Sequence, residues 1–181
     1  NSLACHLESE NPGNRQLWQA YWQAPTSPTA ACLKAVDMFK AVGDGRIKAL
    51  WIIHTNPAVS MPDADAVSAA IKSCDFTVVS DLTAATDTAR LCDVQLPAAG
   101  WAEKSGTVTN SDRTISRQRS VLTAPGEAKP DWEILTEVGR RMGWEEAFNY
   151  SSPAEIFDEY AKLSGPAAAM GATLISRVWL I

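Results

Sequence analysis

Side chains that could do chemistry concentrate in one polar stretch, Trp101 to Arg119. Its charged members are Glu103, Lys104, Asp112, Arg113, Arg117 and Arg119, and its hydroxyls belong to Thr107, Thr109, Ser111, Thr114 and Ser116. Because the stretch has almost no apolar periodicity, we predict a loop rather than a packed helix or a buried strand. Its three arginines suit a small anionic ligand. A solvated loop of mixed charge is the plainer interpretation.

Three short apolar runs must position this loop. Ile47 to Ile53, Phe76 to Val79 and Val94 to Leu96 have the character of strands, and helical segments separate them. The alternation predicts an α/β fold: a three-layer, mostly parallel Rossmann-like sheet flanked by helices. The first run is nearly all apolar, which indicates a strand buried on both faces.

Polar residues follow each predicted strand. Thr55 and Asn56 follow the first, Ser80 and Asp81 follow the second, and the polar stretch follows the third. Ligands of parallel sheets bind beyond the carboxyl ends of the strands. The sequence therefore predicts a binding site where these three strand ends converge.

Helical periodicity recurs along the chain, at Leu17 to Trp22, Cys32 to Val42, Asp63 to Ser73, Asp131 to Met142 and Pro153 to Leu163. Gly43-Asp44-Gly45 ends the second helix and is not a dinucleotide fingerprint, because it does not follow a strand. Asp63 and Asp65 are interpreted as helix-start residues, since carboxylates two residues apart do not face each other on a helix. Glu8 to Arg15 is rich in Asn, Pro and Gly and predicts a turn.

Composition excludes several classes of protein. Sixteen Lys and Arg against 21 Asp and Glu give a net charge of -5, which argues against a nucleic-acid partner. The four cysteines contain no C-x-x-C pair, so no metal site is predicted. No apolar run approaches a membrane span of about 20 residues. We expect a cytoplasmic protein with free thiols.

The order of residues in the polar stretch, E-K-S-G-T-V-T-N-S-D-R-T-I-S-R-Q-R, resembles a signature of the molybdopterin-guanine-dinucleotide oxidoreductases, the dimethyl sulfoxide reductase superfamily. Within it, the chain is most similar to the catalytic (large) subunit of assimilatory nitrate reductases. Further matching segments are L-K-A-V-D-M-F, G-R-I-K-A-L-W-I, T-N-P-A-V-S, V-V-S-D, T-D-T-A and A-P-G-E-A-K-P-D-W. The resemblance covers about residues 1 to 165.

The resemblance implies a set of cofactor contacts: Asn56, Ser80, Asp81, Lys104 and Asp131, with Thr55 assisting at the phosphates. A carboxylate can accept two hydrogen bonds from a guanine edge, and a lysine offers a point charge to pyrophosphate. Asp131 could instead cap the helix that it begins, and Lys104 could pair with Glu103. Thr114 stands where relatives often carry Arg, which weakens any role given to that arginine.

The chain begins without Met and is expected to be a fragment: a single cofactor-binding domain over residues 1–165 and an apolar tail over 166–181. The resemblance implies a parent with a molybdenum-loaded bis-molybdopterin guanine dinucleotide, a 4Fe-4S cluster N-terminal to Asn1, further domains and an electron donor protein. The parent would reduce nitrate, whereas the isolated piece would be inactive. A formate dehydrogenase or periplasmic nitrate reductase relative, or a stand-alone α/β binding domain, remains the alternative.

Overall fold

The computed structural model describes residues 7–8, 10–112, 114–169 and 177–179. The chain divides into two compact units. The first, called the parallel-sheet unit, comprises residues 32–103 and 122–134. The second, called the hairpin unit, comprises the described residues of 1–31, 104–121 and 135–181.

Six helices and six strands are assigned within the described residues. The helices are α1 Pro12–Tyr21, α2 Ala35–Gly43, α3 Pro57–Ser60, α4 Ala64–Ser73, α5 Asp131–Arg141 and α6 Pro153–Ala169. The strands are β1 Ala49–Ile53, β2 Phe76–Asp81, β3 Val94–Pro97, β4 Gly106–Thr109, β5 Thr114–Gln118 and β6 Arg177–Trp179. Single 3-10 turns lie at Ala89–Leu91 and Trp101–Glu103.

A parallel sheet of order β1-β2-β3 forms the centre of the parallel-sheet unit. Ile53 of β1 is paired with Ser80 of β2, and Asp81 with Pro97 of β3. Apolar side chains of α2, α4, β1 and β2 form one buried cluster, in which Val42, Ile71 and Val79 are each 1% exposed. The predicted α/β fold with helices packed on a parallel sheet is confirmed.

Burial of β1 differs from the prediction. Leu50 and Ile52 are buried, whereas Ala49 and Ile53 are exposed and Trp51 is half-buried. Side chains alternate between the two faces of a strand, and the buried cluster lies against one face only. The expectation of burial on both faces was therefore wrong for the described residues. Trp51 instead donates its indole N–H to the hydroxyl of Ser80 at 2.8 Å.

Capping side chains fix where α4 and α1 begin. Asp63 has the left-handed φ of 55° and accepts the amide of Ala66, so its predicted place at the start of α4 is confirmed as the N-cap. Asn11 caps α1 by accepting the amide of Gly13 at 2.9 Å, and Pro12 occupies the first turn. The turn predicted over Glu8 to Arg15 was wrong from Pro12 onward, because proline suits the first helical position.

The polar stretch is a β-hairpin rather than a loop. Strands β4 and β5 pair antiparallel, with Val108 opposite Ser116 and Thr109 opposite Ile115. Ile115 is 3% exposed and fixes the inward face, while β-branched residues favour extended backbone. The loop prediction was wrong because a strand with one buried position needs little apolar periodicity. Arg113 lies outside the described residues.

Helices α1 and α6 pack together in the hairpin unit through a small core that contains Trp18 and Leu163. Glu159 of α6 accepts the indole N–H of Trp22 at 2.7 Å and the phenol of Tyr150 at 2.5 Å. Burial and this hydrogen bond raise the pKa of Tyr150. Of the predicted tail, 166–169 continue α6 and 177–179 form β6; the other tail residues lie outside the described part. None of the helices in the described ranges is both long and apolar enough to cross a membrane.

Gly139 and Gly43 provide a matched pair of helical glycines. A Cβ at Gly139 would lie 2.6 Å from ring atoms of Phe148, whereas a Cβ at Gly43 would make ordinary contact with Ala70 at 3.5 Å. We expect Gly139→Ala to lower the free energy of unfolding by about 1–3 kcal/mol through overpacking. Gly43→Ala should leave it unchanged or raise it by up to about 1 kcal/mol. Urea denaturation of both variants tests this, and equal effects would contradict it.

Asp93 generates a pH-dependent prediction. Its carboxylate accepts both the amide and the hydroxyl of Thr77 at 2.7 Å, and these hydrogen bonds hold the pKa of Asp93 below its ordinary value. The unfolded chain then binds the proton more readily, so the stabilisation is present above about pH 4 and is lost as pH falls through the lowered pKa.

Asp93→Asn should therefore be less stable than the wild type at pH 7, and the difference should shrink in acid. Denaturant unfolding at pH 7, 5 and 3 measures the difference, with Asp44→Asn as the control because that carboxylate is 63% exposed and pairs with the exposed Arg46. A difference that is constant with pH would show that the charge of Asp93 is not the cause.

Candidate functional site

The carboxyl end of β1 turns sharply into the candidate site. His54 follows the strand with a left-handed φ of 50°, and its amide donates to the carbonyl of Ser80 at 2.9 Å. Thr55 is exposed and Asn56 is half-buried. Pro57 then begins the short helix α3, where proline is favoured in the first turn. This turn places Thr55 and Asn56 at the edge of the sheet.

Asn56 connects this turn with the segment that follows β2. Its Oδ1 accepts the hydroxyl of Thr88 at 2.7 Å and the amide of Thr88 at 3.1 Å. The same Thr88 hydroxyl accepts the amide of Ala58 at 3.1 Å, and Thr88 is fully buried. Asn56 therefore fixes the loop after β1 to the loop after β2.

The carboxyl end of β2 presents one buried and one accessible polar side chain. Ser80 is 2% exposed, and its hydroxyl accepts the indole N–H of Trp51. This buried hydrogen bond links the end of β2 to β1. Asp81 is half-buried; one carboxylate oxygen accepts the amide of Leu82 at 2.7 Å and the other accepts the Thr86 hydroxyl at 3.2 Å. Each carboxylate oxygen has a second lone pair for a ligand.

The segment before α5 runs beside the end of β3. The amide of Lys129 donates to the carbonyl of Pro97 at 3.2 Å, and the amide of Ala99 donates to the carbonyl of Lys129 at 2.9 Å. This pairing carries Pro130 and Asp131 to the same edge of the sheet. There, Asp131 Oδ1 lies 2.5 Å from His54 Nε2.

A cavity of about 250 Å³ opens at the ends of β2 and β3. Its lining includes Asp81, Leu82 and Thr83 on one side and Gln95, Leu96 and Pro97 on the other. The lining is mostly apolar and includes the carboxylate of Asp81, which suits a flat ring that carries hydrogen-bond donors. No group of three or more His, Cys, Asp or Glu side chains in the described ranges could hold a metal ion.

The structure thus brings five of the six predicted site residues, Thr55, Asn56, Ser80, Asp81 and Asp131, to the carboxyl edge of the parallel-sheet unit. Lys104 belongs to the hairpin unit, as do the exposed Arg117 and Arg119. Sequence reasoning missed His54 and Thr88. The position of His54 immediately before Thr55-Asn56 was a usable signal, whereas the pairing of Thr88 with Asn56 required the fold.

Comparisons with known proteins give a consistent family. The family model "Molybdopterin oxidoreductase" matches residues 26–141. A nitrate reductase of Shewanella frigidimarina is 47% identical to this chain, and the match covers 90% of this chain and 17% of that protein. A nitrate reductase of Klebsiella oxytoca is 45% identical, and the match covers 90% of this chain and 19% of that protein. An F420-dependent formate dehydrogenase 2 subunit alpha of Methanococcus maripaludis is 40% identical over 88% and 24%.

A solved structure is similar in fold. Acetylene hydratase from Pelobacter acetylenicus matches with a TM-score of 0.61 at 23% identity, over 72% of this chain and 18% of that one. The chain spans about a fifth of the length of the curated relatives that it matches.

The Asn56–Thr88 contact predicts a stability effect at the site. Thr88→Val keeps the shape of the side chain but leaves the Ala58 amide without its acceptor, and should cost about 1–3 kcal/mol of unfolding free energy. Thr83→Val, at an exposed threonine whose hydroxyl accepts the amide of Ala85, should change it by less than about 0.5 kcal/mol. Denaturant unfolding compares the two; a neutral Thr88→Val would mean that the Thr88 hydroxyl does not stabilise the contact between the two loops.

Proposed function

The chain belongs to the molybdopterin oxidoreductase family, and we propose that its parallel-sheet unit holds the guanosine end of a molybdopterin guanine dinucleotide. The observation that carries the proposal is the open cavity at the ends of β2 and β3, which Asp81 lines, with Asp131 beside His54 at the same carboxyl edge of the sheet. Parallel sheets bind nucleotides at this edge. The donor set also fits, since carboxylates accept the N1 and N2 hydrogen bonds of guanine.

Each site residue has a role that follows from its contacts. Asp81, which lines the cavity, accepts hydrogen bonds from the base. Asp131 offers a second carboxylate at the same edge of the sheet. Asn56 and Ser80 hold the strand ends in place through Thr88 and Trp51. The exposed Thr55 offers a hydroxyl to a phosphate oxygen.

Lys104 is assigned to the pyrophosphate by the resemblance to the family. A lysine ammonium is a strongly hydrated point charge that suits phosphate without fixing its orientation. The 3-10 turn that precedes it holds the Glu103 carboxylate, which accepts the amide of Gly100 at 2.7 Å.

We further propose that the parent is a nitrate reductase of the assimilatory type, acting in the cytoplasm with a bis-molybdopterin guanine dinucleotide, a 4Fe-4S cluster and an electron donor protein. When bound, the molybdenum group would supply the oxygen-atom transfer that converts nitrate to nitrite. The residues of this chain bind and orient the cofactor. Nitrate is favoured over formate because the two nitrate reductases are 47% and 45% identical to this chain and the formate dehydrogenase subunit is 40% identical.

Calorimetric titration of the 181-residue chain with GDP tests the guanine site. We expect Asp81→Ala and Asp131→Ala each to weaken GDP binding by about tenfold or more, because a hydrogen bond to a charged group contributes about 1.5–3 kcal/mol. Asp75→Ala is the control: Asp75 precedes β2 at the opposite edge of the sheet and pairs with Lys48. Equal affinity in all four proteins would refute the proposed site.

A further inference from the structure

His54 makes a contact that the proposed cofactor assignment leaves unexplained. Its side chain bridges 77 residues of sequence to reach Asp131, and the two side chains are 29% and 26% exposed. Its backbone keeps the left-handed φ of 50°, which is uncommon and strained outside glycine. The amide of His54 donates to the carbonyl of Ser80 at 2.9 Å, which holds the backbone of His54 at the strand end.

The direction of the hydrogen bond follows from the chemistry of the pair. An ionised carboxylate only accepts hydrogen bonds. The N–H at Nε2 of His54 is therefore the donor of this hydrogen bond, and Asp131 Oδ1 is the acceptor. One carboxylate offers about four lone-pair positions, so it can accept from more than one donor at a time. The bond restrains rotation of the carboxylate about its last side-chain torsion, which is otherwise a broad, soft torsion.

A guanine edge presents two neighbouring N–H donors, and a carboxylate accepts both only when its plane is aligned with the base. We propose that His54 is a positioning residue that fixes the plane of Asp131 and thereby sets the preference of the site for guanine. This inference depends on the proposed function, since it assumes that Asp131 contacts the base. It predicts that His54 governs base discrimination more than overall affinity for the diphosphate.

Two substitutions separate positioning from folding. His54→Gly removes the ring, and glycine adopts the left-handed backbone without strain. The relieved strain offsets the lost hydrogen bond, so the variant should fold. His54→Gln removes the ring but keeps a side-chain N–H that can reach a carboxylate. Circular dichroism and denaturant unfolding establish that both are folded.

The test is calorimetric titration of the 181-residue chain and its variants with GDP and with ADP, which differ only in the base. The wild type should prefer GDP. His54→Gly should reduce the ratio of the two affinities by about tenfold, the effect of losing one hydrogen bond to a charged group. His54→Gln should restore most of the ratio, which a merely structural role of the ring would not produce.

Each other outcome contradicts a specific statement. A GDP preference that persists unchanged in His54→Gly would overturn the positioning role while leaving the guanine site intact. Tighter GDP binding in His54→Gly would show that His54 competes with the base for Asp131, and would also overturn it. A wild-type chain without any preference for GDP would overturn the proposed function, and this inference with it.

Discussion

The pairing of β1 with β2 is the constraint on which the candidate site depends. Parallel strands with buried Leu50, Ile52 and Val79 cannot slip by one residue, because a slip would turn the apolar side chains to the other face. The register that places Ile53 beside Ser80 therefore also fixes where the chain leaves each strand. Since both strands end at the same edge, residues distant in sequence become neighbours. The site is a consequence of this buried register.

The polar residues at this edge are restrained by one another before any ligand is considered. Asn56 accepts the hydroxyl of Thr88, and His54 contacts Asp131. Asp81 accepts hydrogen bonds from the Leu82 amide and the Thr86 hydroxyl. Such bonds limit the motion of loops that would otherwise be the most mobile part of the unit. A site whose side chains are already oriented loses less conformational entropy on binding. Binding at this edge therefore relies on preorganisation that the protein provides itself.

The sequence predicted the parallel sheet well because its evidence is local: apolar runs, polar strand ends and a glycine pair that ends α2. It also predicted the start of α4 at Asp63, where one side chain decides the structure. It failed for the hairpin at 106–118, since the pairing joins residues across two strands and one buried position, Ile115, leaves little periodicity in sequence. The position of His54 before Thr55-Asn56 was a signal in the sequence, but its contact with Asp131, 77 residues away, required the fold.

Two aspartate–threonine contacts at opposite ends of β2 show why topology must precede any assignment of function. At the amino end, Asp93 accepts the buried Thr77 amide and hydroxyl and closes the start of the strand. At the carboxyl end, Asp81 accepts the Thr86 hydroxyl beside an open cavity. The residue types are the same, but parallel sheets bind ligands at their carboxyl edge. The same chemistry therefore stabilises the fold at one end of the strand and remains available to a ligand at the other.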